Sequence, residues 1–380
     1  MLSSSRTVVR PLPRWETEQL FLSAETWFDT LLRDVGNAQH SIELQTYIFS
    51  LDEVGRPLLD ALCRASERGV TVRVMVDGVG SRLAIETVQQ RLQATGAALQ
   101  VYHPLPWRWA AARLERSDRL SRFMTQLMRL NNRNHSKLCL VDGAVAWVGS
   151  YNITANHLST ATGHLPWKDA GVRVTGERCG LLGEFFDALW HHDIERLSTH
   201  FLYHPMTNFS PALRKRRLRL LLTVLASARQ RVWISSAYFA PVPSLLRAFK
   251  KASRRGVDVR ILVSARSDVP FFPALSSTYF ADLLRAGIRI HECHDRILHT
   301  KVMHIDETLI IGSTNMNHRS LLHDVELDIE LFSTEVIDAA RQDFQQQCET
   351  ALALSLRGRN RLSVWLLAMG YIPRFLRYWM

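Results

Sequence analysis

The chain is 380 residues long, 47% apolar and 22% charged, enough to enclose a large core as one two-lobed unit or two domains. Its net charge of +11 suits an anionic partner, either nucleic acid or an acidic membrane surface. Five cysteines (Cys63, Cys139, Cys179, Cys293, Cys348) lack paired zinc-ligand spacing, which argues against a structural metal and for reduced thiols in a cytosolic compartment. His291-Glu292-Cys293-His294 has no second ligand pair to accompany it.

Residues 1–20 read as an irregular N-terminal arm with little periodicity and no signal-peptide pattern. Leu20–Val35 has the spacing of an amphipathic helix, and Ser41–Ser50 alternates like a strand. A helix from about Arg56 to Arg68 ends at Gly69, and Val70–Val76 is the next strand. Leu83–Thr95, Gly96 and Ala98–Tyr102 repeat the helix–turn–strand pattern, which predicts an α/β layered domain with a mixed sheet. Pro104–Asn134 then interleaves Trp107, Trp109, Phe123 and several leucines with Arg108, Arg113, Arg116, Arg119, Arg122 and Arg129. That is the composition of a basic amphipathic helix, lying on anionic lipid or packed on the protein body.

The second half repeats the plan. Arg231–Pro241 matches the Ser41 strand, with Tyr238 in the place of Tyr47. Lys250–Val263 matches Cys63–Val76, aligning Gly256 with Gly69 and Arg260 with Arg73, and Leu283–Ile290 matches the region around Gly96. The chain is therefore an internal duplication with a boundary near His200–Pro211. It divides into an arm (1–20), a first lobe (21–200, with the insert 104–134), a second lobe (201–356) and a tail (357–380). The second lobe closes with a helix at about Thr334–Ala353. In the tail Trp365, Tyr371, Phe375, Tyr378 and Trp379 are mixed with arginines, the pattern of an interfacial helix or of a helix capping the body. No stretch reaches the roughly 18 uninterrupted apolar residues of a spanning helix.

Each half carries one copy of a longer pattern. The first reads HSKLCLVDGAVAWVGSYN, with His135, Lys137, Asp142, Ser150 and Asn152; the second reads HTKVMHIDETLIIGSTN, with His299, Lys301, Asp306, Ser313 and Asn315. The H-x-K-x4-D and G-S-x-N spacings agree, and the gap between them is one residue shorter in the second copy. In a strand, the histidine and the lysine two residues on share a face. Each copy thus offers an imidazole, a fixed positive charge and neutral donors, the set an anionic phosphodiester needs. One motif per half suggests a pseudo-twofold interface with a single shared site.

The paired H-x-K-x4-D motifs resemble the phospholipase D superfamily, and the wider pattern, from about Phe21 to the C-terminus, resembles its bacterial cardiolipin synthases. The resemblance implies two homologous lobes, each a mixed β-sheet flanked by helices, around one active site. It implies phosphodiester exchange through a phosphohistidine, with no metal or other cofactor. His135 would be the nucleophile and His299 the acid/base, although the symmetry of the sequence does not itself distinguish them. Lys137 and Lys301 would hold the non-bridging oxygens, and Ser150, Asn152, Ser313 and Asn315 would add donors. Asp169 and Glu326 would orient the histidines. Asp142 and Asp306 belong to the catalytic motifs but read as anchors of the turns. Asn317 stands where the family often has Asp, and Asp324 where it often has Asn.

The expected activity is phosphatidyl transfer that makes cardiolipin or a related phospholipid, with hydrolytic phospholipase D and a phosphodiesterase or nuclease acting on nucleic acid as alternatives. The expected partners are an anionic phospholipid such as phosphatidylglycerol and the membrane surface. No nucleic acid is expected, and the oligomeric state is left open. The expected place is peripheral, at the cytoplasmic face of a bacterial inner membrane.

Overall fold

The computed structural model describes residues 14–104, 132–159, 166–198 and 207–356. The tail at 357–380 and all but the ends of the insert at 104–134 lie outside them. The first half runs β1 (Thr17–Phe21), α1 (Ala24–Asn37), β2 (Ser41–Thr46), α2 (Gly55–Glu67), β3 (Thr71–Asp77), α3 (Ile85–Ala94) and β4 (Ala98–Tyr102). It continues with β5 (Leu138–Val141), β6 (Val145–Gly149), β7 (Gly171–Thr175) and α4 (Cys179–Trp190). The second half runs α5 (Pro211–Ser227), β8 (Arg231–Ser236), α6 (Pro243–Arg254), β9 (Asp258–Ser264), α7 (Phe272–Arg285) and β10 (Arg289–Cys293). It ends with β11 (Lys301–Ile305), β12 (Thr308–Gly312), α8 (His318–Leu322), β13 (Asp328–Leu331), α9 (Thr334–Thr350) and β14 (Leu352–Ala353).

These strands form two seven-stranded mixed sheets, ordered β1-β7-β6-β5-β2-β3-β4 and β13-β12-β11-β8-β9-β10-β14. Six strands of each sheet correspond in order, and each half adds one strand at the opposite edge. Those added strands are where the sequence reading is corrected. Thr17–Phe21, assigned to the irregular arm and to the start of a helix, is β1, antiparallel to β7. Ser23 then caps α1, its hydroxyl accepting the Thr26 N–H. Leu352–Ala353, read as the end of a helix, is β14 on β10. Both are edge strands whose partners are remote in sequence, and their short runs carry no alternation strong enough to declare them.

The inner faces of the two sheets share one core. Leu138, Leu140, Val148 and Val172 of the first sheet cluster with Val302, Leu309, Ile311 and Ile329 of the second, joined by Phe185 and Phe186 of α4 and Ile337 of α9. The outer faces are covered by α1, α2 and α3 on one side and by α5, α6 and α7 on the other. Burying both faces of each sheet leaves the strand ends as the places where polar side chains can converge. Among the described residues, no helix is long and apolar enough to cross a membrane.

Candidate active site

The strands β5 and β11 run antiparallel to β2 and β8. Their starts, just after His135 and His299, therefore lie beside the carboxyl ends of the parallel strands. Each histidine backbone is stitched to the opposite half. The His135 N–H donates to the Val325 carbonyl at 2.9 Å and the Val325 N–H to the Arg133 carbonyl at 2.8 Å. On the other side the His299 N–H donates to the Lys168 carbonyl at 2.8 Å and the Lys168 N–H to the Ile297 carbonyl at 2.9 Å. The next residue on each crossing segment is an acid. Glu326 Oε2 lies 3.1 Å from His135 Nδ1, and both Asp169 carboxylate oxygens lie 3.0 Å from His299 Nδ1. Each imidazole is thus held by the carboxylate of the other half. The proton sits on Nδ1 and the Nε2 lone pair is left for the pocket.

That pocket, of about 240 Å³, is lined by both histidines together with Tyr47, Asn152, Trp167, Tyr238, Asn315, Arg319 and Asp324. Lys137 and Lys301 are buried beside the histidines, their ammonium groups donating to the His135 carbonyl at 2.6 Å and the His299 carbonyl at 2.5 Å. Burial lowers Lys137 to about 7 and Lys301 to about 8. Burial, joined by the two lysines, holds His135 well below its ordinary range. Burial also lowers His299 to about 4, against the pull of Asp169. Both rings are therefore neutral at neutral pH. The two carboxyls differ: burial opposes ionisation of Asp169, yet His299 and His157 hold it well below the usual range, whereas burial raises Glu326.

His157 went unnoticed in the sequence. Its Nε2 accepts the Asn152 N–H at 3.2 Å, which places its proton on Nδ1, 2.8 Å from Asp169 Oδ2. It stands five residues after Asn152. The same offset from Asn315 gives Ser320, so the repeat conceals the position by changing its chemistry. Arg319 and Arg133 were missed for a similar reason, as two arginines among many. Arg319 Nε donates to both Asp324 oxygens at 3.1 and 2.9 Å, and Arg133 is paired with buried Asp77. Burial pushes Asp324 up to about 6.

Four residues of the two motifs, the serines expected as donors and the aspartates read as turn anchors, hold the backbone and do not face the pocket. The Ser150 hydroxyl donates to the Ala170 carbonyl and accepts the Ala170 N–H, and the Ser313 hydroxyl donates to Glu326 at 2.5 Å and accepts the Leu327 N–H. Both serines are fully buried, so they fasten the acid-bearing segments and do not face the pocket. The preceding glycines explain the spacing. A Cβ on Gly149 would stand 2.6 Å from the Ala170 carbonyl, and one on Gly312 would stand 2.2 Å from the Leu327 carbonyl. Asp142 and Asp306 also lie away from the pocket. Asp142 accepts the N–H groups of Gln39, His40 and Ser41, and Asp306 those of Arg229, Gln230 and Arg231. Asn152 and Asn315 do line the pocket. Their carbonyl oxygens accept the Ile48 and Tyr238 N–H groups, leaving the amide N–H groups as donors.

His291, Cys293 and His294 do not converge: they bond to the Cys348 carbonyl, Asp295 and Glu292 respectively. Among the described residues, no group of three or more His, Cys, Asp or Glu is placed to hold a metal ion.

The family described as "Cardiolipin synthase, PLD-like domain", where PLD is phospholipase D, matches residues 31–165 and 221–348. Cardiolipin synthase 1 of Bacillus cereus is 28% identical over 369 residues, covering 92% of this chain and 69% of that protein. A cardiolipin synthase of Staphylococcus aureus is 26% identical over 363 residues, covering 92% and 70%. Among solved structures, the phosphatidylserine synthase of Haemophilus influenzae superposes with a TM-score of 0.67 at 13% identity, covering 96% of this chain and 94% of that one, a likeness of fold.

Proposed function

The chain belongs to the cardiolipin synthase family of phospholipase D-like proteins, and from that premise we propose how its site moves a phosphatidyl group. It is a phospholipase D-type phosphatidyltransferase acting on phospholipids. The observation that supports the detailed reading best is the pair of neutral imidazoles facing one pocket, each backed by a carboxylate from the other half.

In this reading the donor is phosphatidylglycerol. His135 Nε2 attacks its phosphorus; the phosphorus–nitrogen bond forms as the bond to the glycerol oxygen breaks, and His299 gives that oxygen its proton. His299 then takes the proton of an incoming hydroxyl, on a second phosphatidylglycerol or a related alcohol. That oxygen displaces His135 and completes cardiolipin or its analogue. Asp169 favours this order of roles, because an ionised carboxylate at Nδ1 stabilises the imidazolium that an acid must become. Lys137, Lys301 and Arg319 supply positive charge for the five-coordinate phosphorus, and Asn152 and Asn315 supply neutral donors. The substrate's own negative charge raises the histidine pKa values, so the acid becomes protonated as the anion enters.

The same reading divides the chain into the arm 1–20, the lobes 21–200 and 201–356, and a membrane-associating tail 357–380. It places the protein on the cytoplasmic face of a bacterial inner membrane. Radiolabelled phosphatidylglycerol given to the purified protein should yield cardiolipin and free glycerol. Phosphatidic acid as the dominant product would replace transfer by hydrolysis, and cleavage of DNA without lipid turnover would overturn both.

A further inference from the structure

Asp169 is touched by two imidazoles, of which His299 lines the pocket and His157 does not. His299 Nδ1 lies 3.0 Å from both carboxylate oxygens, and His157 Nδ1 lies 2.8 Å from Oδ2. The His157 ring is fully buried. Tyr151 and Trp167 confine it edge-on, with 5.4 and 5.6 Å between ring centroids, and Trp167 in turn lies 5.1 Å from the His299 ring. Its Nε2 accepts the Asn152 N–H at 3.2 Å. Turning the ring over would forfeit that acceptor, so the Nδ1 proton stays toward Asp169.

The other half is built differently at each of these points. Five residues past Asn315 stands Ser320, buried like His157. Glu326 accepts the Ser313 hydroxyl at 2.5 Å and the Ser320 hydroxyl as well, so neutral hydroxyls stand where Asp169 has an imidazole. The His135 Nδ1 proton is shared between the Ser313 carbonyl at 3.2 Å and Glu326 at 3.1 Å, whereas that of His299 faces two oxygens of one carboxylate. The two acids part in the same sense. Burial opposes ionisation of both, yet Asp169 is held well below the usual range by His299 and His157, and Glu326 is raised. The acid/base histidine is the one that must become an imidazolium, and an anionic carboxylate at Nδ1 is what stabilises that form.

We propose that His157 is the positioning residue that divides the labour between the two histidines: it fixes Asp169 behind His299, so that His299 handles protons and His135 is left to attack phosphorus. This rests on the phosphohistidine reading and adds what breaks the symmetry of the repeat. His157 acts through Asp169, so its effect belongs to the steps in which His299 moves a proton. Departure of glycerol is such a step, because the glycerol oxygen takes its proton from His299. A leaving group that departs as a stable anion needs no proton and bypasses it.

The test compares two donors of equal acyl length on the whole protein, a short-chain phosphatidylglycerol and the matching phosphatidyl-p-nitrophenol. Release of glycerol and of p-nitrophenolate is followed in single turnovers with protein in excess. His157→Phe should slow glycerol release by about tenfold, a part of the roughly 10²–10⁴-fold that an acid contributes, and leave p-nitrophenolate release within about twofold. His157→Gln, whose amide can donate to Asp169 and accept the Asn152 N–H, should recover most of the glycerol rate. His157→Ser, which copies Ser320, should fall with His157→Phe. Both donors are read on one preparation, so their ratio does not depend on how much of a variant folds. An unchanged ratio in His157→Phe and His157→Ser, whether both rates hold or both fall together, would overturn the role of His157 while the wild type still forms a phosphatidyl adduct. A wild type that releases both leaving groups with no adduct on a histidine would sink the phosphohistidine reading, and this inference with it.

Discussion

At the scale of single residues, the site separates groups that act from groups that hold. His135→Ala and His299→Ala should each reduce turnover by at least ~10²-fold, the lower range for general acid–base catalysis, with melting temperature little changed. Near-normal transfer by either would eliminate the shared site. The buried cations give the site a pH signature. Lys137 sits at about 7 against an ordinary 10.5, and Lys301 at about 8. A base lowered in the folded state binds fewer protons than in the unfolded chain between those values. Its burial therefore destabilises fully below the lowered pKa, and stability is regained as pH rises toward the ordinary one. An anion in the pocket relieves that penalty by returning the protons. Tungstate should bind more weakly as pH rises from 6 to 9, take up protons on binding, and raise the melting temperature more at pH 6. Calorimetry in buffers of different ionisation enthalpy measures the uptake, and pH-independent binding would contradict this electrostatic reading.

At the scale of elements, the motif spacings are instructions for strand contact. Gly312 is required because the strand segment before β13 passes where a Cβ would stand. Gly312→Ala should therefore cost about 1–3 kcal/mol, as overpacking does, and should reduce activity by displacing Glu326. Asp306→Ala removes the acceptor of three backbone N–H groups at the start of β8. It should destabilise by about 1–3 kcal/mol while the remaining folded protein keeps its turnover per molecule. Chemical denaturation with activity per folded molecule separates the two variants, and a catalytic loss in Asp306→Ala without instability would return that residue to the chemistry. The α/β alternation and the duplication were legible in the sequence because they depend on local periodicity and on chemistry repeated at fixed offsets. The strands β1 and β14 were not, since pairing at a sheet edge is decided by remote partners. His157 was hidden because Ser320 takes its place in the other copy. The serines were legible as motif positions but not in their role, which depends on which way a buried hydroxyl turns.

At the scale of the whole molecule, the two halves exchange their carboxylates. Glu326 of the second half serves His135 of the first, and Asp169 of the first serves His299 of the second. Neither half holds its own motif histidine together with the acid that backs it, which makes the interface between the sheets a part of the site. The duplication was readable from the sequence, but the crossing was not, because each acid follows its own half's motif in the chain. In the proposed reaction this assembly carries the phosphatidyl group on one histidine between two lipids. The most direct test is to mix the protein with phosphatidylglycerol, quench rapidly, and find any covalent adduct by intact-protein and peptide mass spectrometry. The account predicts at most one phosphatidyl adduct per chain, on His135, absent in His135→Ala and longest-lived when phosphatidylglycerol is kept below one equivalent of protein, so that no second molecule remains as acceptor. Cardiolipin formation at full rate with no adduct on any histidine, or an adduct confined to His299, would contradict it.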